Sequence, residues 1–395
     1  LVFTQWWEDE LEPGALKALI DEFEAQNPRI QIRLDTRSYG ETRSFLVNRS
    51  GAEEPLPDII ALDYQWLYEL VRQKTLEPLA AYRETGDFSL QNQQDLPEGH
   101  YEQWAVPLVS FMYPLFYNIG ILKEAGFDRP PKTRTEFLDY ALAITGKAAG
   151  RYGTALSLGE DNHRDIYREI LPWFWAAGTC LIQDGRTNFT GPPVIETLGF
   201  IDRFHREGIL SPGSFSKTEA QKREEFLAGK IGMMIGSLRD IDLFRERLGE
   251  DNFGITAIPG PDGYIGKPVF GLSSWYAGIS RRSSHKDEAW RFLAFLTERI
   301  SSPAVKVHAM PERGKGGDGS TGVDPHYAKA YEIYQAGDVI REFSGDLRAP
   351  GLDSIVREEL YAMLEQGRSP GESAAAMQKK WEALTKKKPV MKKRG

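Results

Sequence analysis

Two prolines seven residues apart, Pro107 and Pro114, constrain the fold of this chain more than any other feature. They interrupt the apolar run of residues 105–117, inside the stretch QWAVPLVSFMYPLFYNIGILKEAGFDRPPKTRTEFLDYALAIT (103–145). Proline has no backbone N–H and is tolerated in sheets mainly at edges, strand starts and bends. A run broken twice in this way is expected to leave one sheet and enter another. After Tyr117 and Asn118, residues 121–125 read as a short helix stopped by Gly126, since glycine suits the left-handed position past a helix end. Pro130 and Pro131 then hold the chain extended. Thr133 or Thr135 can cap the amphipathic helix that follows.

At 395 residues the chain exceeds what one core usually serves, so two α/β lobes are expected. Residues 2–6 read as a strand, 11–26 as an amphipathic helix with Leu16, Leu19, Ile20 and Phe23 on one face, and 30–34 as an alternating strand. A helix over 41–49, a buried strand over 57–62 and a helix to about Lys74 follow. This β-α-β-α-β start implies a parallel sheet with right-handed crossovers. From about Tyr152 a second α/β set begins: a strand over 153–157, helices over 166–177 and 193–207, and a hairpin-like turn at 183–186. Strands over 253–259 and 271–280 flank the passage back, followed by a helix over 286–297. Five glycines within 314–322 mark a loop, and helices over 354–365 and 373–384 close the chain.

The stretch 103–145 closely resembles the segment by which solute-binding proteins of ABC importers, the maltose-binding-protein-like family, cross between their lobes. There a "P…YN" strand precedes an "…AG…PP.T..E" turn and helix. PDIIALDYQWLYELVRQKTLEPL resembles the family's "PDI…D…L…G.L.PL" unit, with Lys74 where a glycine is common. FLAGKIGMMIG resembles "F..GK.AM…G", KDEAWRFLAFLT resembles "…EAW.F..FL", and LEQGRSPGESAAAMQKKWEAL resembles the closing helix pair. The resemblance runs from Val2 to about Leu384. It implies an α/β, two-lobed periplasmic-binding-protein fold with interleaved lobes joined by a multi-crossing hinge. Residues 1–110 and 261–310 would form one lobe, and 111–260 and 311–395 the other. Crossings at 109–111, 258–260 and 311–314 would absorb the hinge motion.

Charge and cysteine content narrow the partners. The net charge is −8, and the six basic residues of the tail KKKPVMKKRG leave −14 on the body. An acidic body argues against nucleic acid as the main partner, and such a tail reads as a solvated, disordered end, with contact to an anionic membrane as the alternative. The single Cys180 excludes an internal disulfide and a Cys-rich metal site. The six histidines show no metal-ligand spacing, and no apolar run approaches the ~20 residues of a membrane span. The chain starts directly in a strand at Leu1, as a processed or trimmed chain would.

In open α/β sheets ligands bind at the carboxyl ends of the strands. Those ends carry Trp6, Trp7, Glu8 and Asp9, then Asp63 and Trp66, with Tyr39 joining the set. The crossing strand offers Ser110 and Tyr113. Later segments offer Arg168, Trp173, Ser237, Arg239, Ser273, Trp275, Arg313 and Arg348. Six of the nine tryptophans (Trp6, Trp7, Trp66, Trp173, Trp175 and Trp275) fall near these ends. Aromatic plates cover the C–H faces of sugars while Asp, Glu and Arg take the hydroxyls, so this concentration suits a carbohydrate. Neighbours on a strand point oppositely, so one of Trp6 and Trp7 is expected to pack inward and the other to face ligand. At least one of Trp173 and Trp175 is expected in the core, and Asp63 can also cap the helix after it.

The expected function is a periplasmic or extracellular carbohydrate-binding protein, free or lipid-anchored. It would close on a mono- or oligosaccharide between its lobes and deliver it to the membrane subunits of an ABC transporter. A monomer without catalytic role, metal or cofactor is expected. No G-x-S-x-G, H-E-x-x-H, P-loop or G-x-G-x-x-G is present. Two alternatives stay open. A carbohydrate-active hydrolase would draw a carboxylate pair from Glu8, Asp9 and Asp63. A solute-binding protein for a polyamine or other non-sugar solute would use acids and tryptophans as a cation site.

Overall fold

The computed structural model describes residues 1–9, 11, 13–47, 56–83, 104–146, 148–159, 165–183, 186–300, 324–340 and 349–386. Within them the chain divides into two compact units. The first is built from residues 1–111 and 272–300, the second from 112–271, 324–340 and 349–386.

The first unit opens with β1 (Val2–Gln5), α1 (Ala15–Gln26), β2 (Arg33–Thr36), α2 (Tyr39–Val47), β3 (Ile59–Asp63), α3 (Tyr64–Arg72) and α4 (Ala80–Arg83). Strand β1 lies between β2 and β3, parallel to both, with Phe3 opposite Leu34 and Ile59. The three strands therefore end at one edge, where Trp6, Arg37 and Tyr64 follow. α1 begins four residues later than periodicity suggests because Pro13 and Gly14 precede it, Gly14 turning at φ +82°. Its apolar face, Leu16, Leu19, Ile20 and Phe23, is buried as expected. β2 starts at Arg33 rather than Ile30, since pairing with β1 begins at Val2–Arg33.

The helix α3 ends in a glycine-type motif made without glycine. Lys74 sits at φ +56°, the Lys74 N–H donates to Val71 O at 3.0 Å, and the Thr75 N–H donates to Leu70 O at 2.9 Å. This is the Schellman arrangement, in which the left-handed residue normally lacks a Cβ. A side chain there costs about 1 kcal/mol. Lys74→Gly is therefore expected to raise unfolding free energy by up to about 1 kcal/mol in a urea melt, despite the added backbone freedom.

The proline-punctuated stretch changes sheets as its prolines suggest. β4 (Val106–Met112) carries Pro107 and pairs within the first unit's sheet, and Pro114 separates it from β5 (Leu115–Asn118) of the second unit. Asn118 caps α5 (Ile119–Glu124), accepting from the Ile121 N–H at 3.0 Å, and Gly126 at φ +98° ends that helix. Thr133, not Thr135, caps α6 (Arg134–Ile144) by accepting from the Glu136 N–H; the Thr135 hydroxyl donates to Asp262 instead.

In the second unit, the expected helix over 166–177 is two pieces, a π-helical turn Ile166–Ile170 and α7 (Leu171–Trp175). Pro172 explains the break: it has no N–H for the residue 168 carbonyl, and the Leu171 N–H reaches back five residues to Ile166 O. The hairpin at 183–186 appears as β6 (Ile182–Gln183) and β7 (Arg186–Thr187). Then come α8 (Pro192–Arg206), α9 (Glu219–Leu227), β8 (Met233–Ile235), α10 (Ile241–Leu248) and β9 (Phe253–Thr256). β5 lies between β8 and β9, antiparallel to both. Residues 153–157 make no ladder strand; only bridges at Tyr152–Ile231 and Thr154–Leu210 form.

The return passage lies within β10 (Val269–Ile279), later than residues 258–260. Its first three residues pair parallel with β11 (Asp338–Ile340) of the second unit. Its later ones run antiparallel to β3, Trp275 opposite Asp63. α11 (Lys286–Arg299) then packs on α1 through Phe292 and Phe23, 5.0 Å between ring centroids. α12 (Pro325–Ala336), α13 (Ala349–Leu364) and α14 (Pro370–Lys386) complete the second unit, α14 packing on α8 and α13. The expected crossing at 311–314, the glycine loop 314–322 and residues 387–395 of the basic tail lie outside the described residues.

Candidate functional site

The carboxyl edge of the first unit's sheet carries a continuous aromatic cluster. β1 ends at Gln5, and a short 3-10 turn over Trp7–Asp9 follows at once. Strand alternation therefore stops before the tryptophan pair, and both rings are buried: Trp6 is 3 % and Trp7 0 % exposed. Trp6 meets Tyr39 edge-on at 5.3 Å and Trp66 at 5.2 Å, and Tyr39 and Trp66 are 4.6 Å apart. Trp7 stacks on Trp275 at 5.1 Å and 9° between planes, and Phe111 meets the Trp275 ring edge-on at 5.1 Å. The β3–β10 register sets Trp275 opposite Asp63, itself buried.

Polar groups border these rings. The Thr36 hydroxyl donates to Glu8 Oε2 at 2.6 Å and accepts from Gln5 Nε2 at 2.8 Å; the Glu8 N–H donates to Gln5 Oε1. Glu8 thus stands exposed but held in place. The indole N–H groups of Trp6 and Trp7 are buried with no acceptor among the described residues. A buried donor left unmatched costs about 1–3 kcal/mol, so two in one cluster is a feature to be explained. Trp173 Nε1 is in the same condition, so such an indole alone does not mark a site. The first unit's pair differs in standing beside Glu8 and Asp63.

The second unit's candidates separate into two groups. Trp173 is 2 % exposed and packs against Phe137, Phe200 and Phe204 at 5.0, 5.1 and 5.6 Å, inside the second unit's core. Its carbonyl accepts from Arg134, a buried cation that also donates to Thr197 at 3.1 Å. Burial pushes the Arg134 guanidinium down to about 10. Trp175 is buried too, edge-on to Tyr167. Arg168, Tyr113, Ser237 and Arg239 form the other group. The Arg168 guanidinium lies over the Tyr113 ring, 5.4 Å from its centroid, and pairs with Glu219 of α9. Ser237 caps the turn Leu238–Asp240, its hydroxyl accepting from the Arg239 N–H at 3.3 Å, and Arg239 is exposed.

Beneath Arg168 lies a charged cluster that residue patterns did not reveal. Glu169 and Lys222 form an ion pair only 3 % and 1 % exposed. The Lys222 ammonium also donates to Ile235 O at 2.7 Å, and the Ser157 hydroxyl donates to Glu169 Oε1 at 2.8 Å. Burial pushes the Glu169 carboxyl up despite Lys222 and Ser157. For Glu219, burial pushes up but the nearby cations, Arg168 first, outweigh it and hold the carboxyl below its ordinary value. Asp240, paired with Arg223 at 2.9 Å, is raised by burial and by Glu219. The available signal was weak: an Arg-Glu pair inside the apolar run 166–175, and the charged helix EAQKREEFL.

The outer face of α9 borders a separate surface hollow of about 620 Å³, lined by Gly213, Lys217, Gln221, Glu225 and Lys230 among others. None of the sequence-predicted site residues lines it, and Lys217 is engaged by Glu225 and Ser211. Asp9, Ser110 and Ser273 fall in the turn after β1, in β4 and in β10, and their side chains lie outside the described set. Arg313 and Arg348 lie outside the described residues. Among the described residues no group of three or more His, Cys, Asp or Glu side chains could hold a metal ion, and no helix is long and apolar enough to cross a membrane.

Comparison with solved structures shows the same fold over the whole chain. The sugar-binding protein MalE from Xanthomonas citri is 22 % identical, covers 100 % of both chains and has a TM-score of 0.79. The GacH receptor of Streptomyces glaucescens is 19 % identical, with 98 % of this chain and 99 % of that one covered and a TM-score of 0.77. UgpB from Mycobacterium tuberculosis is 18 % identical, with 98 % of each chain covered and a TM-score of 0.79. The fold is thus the maltose-binding type of periplasmic binding fold. The family model for bacterial extracellular solute-binding proteins matches residues 7–299, and the chain belongs to that family.

Proposed function

We propose that this protein binds a mono- or oligosaccharide outside the cytoplasmic membrane and hands it to the membrane subunits of an ABC transporter, without a catalytic step. The observation that carries the carbohydrate reading is the pair of buried indole donors, Trp6 and Trp7, set in an aromatic cluster beside Glu8 and Asp63. A sugar supplies C–H surface for the rings and hydroxyl oxygens for the two indoles, and its hydroxyls add to the bonds the carboxylates already make. The structural relatives agree in kind. The GacH structures include complexes with acarbose and an acarbose homolog, and the Xanthomonas protein is described as sugar-binding. UgpB was determined with glycerophosphocholine, so the fold admits other solutes and the aromatic cluster has to decide for this chain.

The proposed ligand contacts of the first unit are Trp6, Trp7, Glu8, Tyr39, Asp63, Trp66 and Trp275; those of the second unit, proposed separately, are Tyr113, Arg168, Ser237 and Arg239. Asp9, Ser110, Ser273, Arg313 and Arg348 remain candidates by position in the sequence. The test is heat unfolding of the purified protein with mono- and oligosaccharides, and with a polyamine in parallel. A rise with sugars supports the reading. A rise with the polyamine alone would assign the carboxylates and rings to a cation instead.

A further inference from the structure

The residue that orients Arg168 lies fifty-one positions later in the chain and belongs to no site assigned above. Two ion pairs join the π-helical turn Ile166–Ile170 to the first turns of α9. Arg168 pairs with Glu219, and Glu169 pairs with Lys222. The signs alternate on both elements: a cation then an anion on the turn, an anion then a cation three residues on along the helix. This arrangement rewards one register. Sliding α9 by one turn would bring Lys222 toward Arg168, and like charges repel. The inner pair is the anchor, being almost wholly buried and tied also to Ile235 O and Ser157. The outer pair is partly open, Arg168 at 14 % and Glu219 at 23 % exposed.

We propose that Glu219 is a positioning residue for ligand recognition, fixing the Arg168 fork against Tyr113 so that its N–H groups meet sugar hydroxyls in one orientation. This rests on the carbohydrate reading. An arginine on a surface has many rotamers, and ordering one costs on the order of 1–2 kcal/mol. Here two contacts have already set the plane. The Tyr113 ring holds one face of the guanidinium, and the Glu219 carboxylate holds NH1. The π-helical turn contributes as well, because Pro172 forces the widened turn on which Arg168 sits. The capping box at the start of α9 fixes Glu219 in turn. Thr218 accepts from the Gln221 N–H, and the Gln221 side chain accepts from the Thr218 N–H. Glu219 needs no ligand contact to matter in this arrangement.

The experiment measures sugar affinity by calorimetric titration, and melting temperature, for the wild type, Arg168→Ala, Glu219→Gln and the swap Arg168→Glu/Glu219→Arg. Glu219→Gln is expected to weaken sugar binding about tenfold, the equivalent of one lost charge-assisted contact. The swap re-forms the ion pair and is expected to melt as the wild type does, yet to bind sugar no better than Arg168→Ala. A purely structural pair would be rescued in both readouts by the swap, and that result would overturn the proposal. Wild-type affinity in Glu219→Gln would overturn it too, while leaving the carbohydrate reading in place. A wild type that binds no sugar would overturn both.

Discussion

Lys222→Met is expected to destabilise the second unit by about 3–5 kcal/mol at neutral pH, the usual cost of stripping one partner from a buried ion pair. The methionine keeps the length of the side chain, so little of the loss comes from packing. What remains among the described residues is the Glu169 carboxylate, with the Ser157 hydroxyl as its donor, and an Ile235 carbonyl without the Lys222 ammonium. The loss has a defined pH dependence. Burial already raises the Glu169 carboxyl in the folded protein, and removing Lys222 raises it further. A carboxyl with a raised folded value is penalised above that value and not below the unfolded one. The deficit of the variant is therefore largest near pH 7–8 and shrinks as the pH falls toward 5. Denaturant melts at both pH values would show this. Adding Glu169→Leu to Lys222→Met should recover at least about half of the loss, because the uncompensated charge goes with it. A deficit under about 1 kcal/mol, or one that grows with acid, would contradict the buried pair.

Trp7→Ala is the second large effect, expected at about 3–5 kcal/mol and located in the first unit. Trp7 is fully buried, stacked on Trp275 at 5.1 Å and edge-on to Phe3 at 5.5 Å. Its removal opens a cavity between β1 and β10 that those rings cannot close without leaving their rotamers. In a unit of this size each kcal/mol is worth roughly 2–4 °C of melting temperature, so a drop of roughly 6–20 °C is expected. Trp275→Ala belongs to the same class, since its ring shares the stack. Affinity loss in either variant would mix stability with recognition. Trp6→Phe separates them: the ring largely remains, while the unmatched indole N–H disappears.

Where local chemistry decides, the sequence was legible. The change of sheet at Pro107 and Pro114, the helix stop at Gly126 and a threonine cap at 133 or 135 each rest on one residue's backbone or hydroxyl. The burial of Leu16, Leu19, Ile20 and Phe23 follows from helical spacing alone. Other features depended on partners far along the chain. Period-2 alternation implied that one of Trp6 and Trp7 would face outward, but β1 stops at Gln5 and the chain turns, so the rule no longer applies. Helical periodicity over 166–177 could not anticipate the widened turn that Pro172 imposes. Glu169 and Lys222 are fifty-three residues apart, and nothing in either neighbourhood announces the other. Residues 153–157 looked like a strand by composition, yet only isolated bridges formed.

The most direct measurement is the melting temperature of the purified protein with and without a panel of mono- and oligosaccharides, at concentrations up to millimolar. A sugar at ~100 times its dissociation constant should add ~2.7 kcal/mol to the stability of the folded state, and Trp6→Phe should reduce that gain. No shift with any sugar, alongside a clear shift with a polyamine or another non-sugar solute, would contradict the carbohydrate assignment.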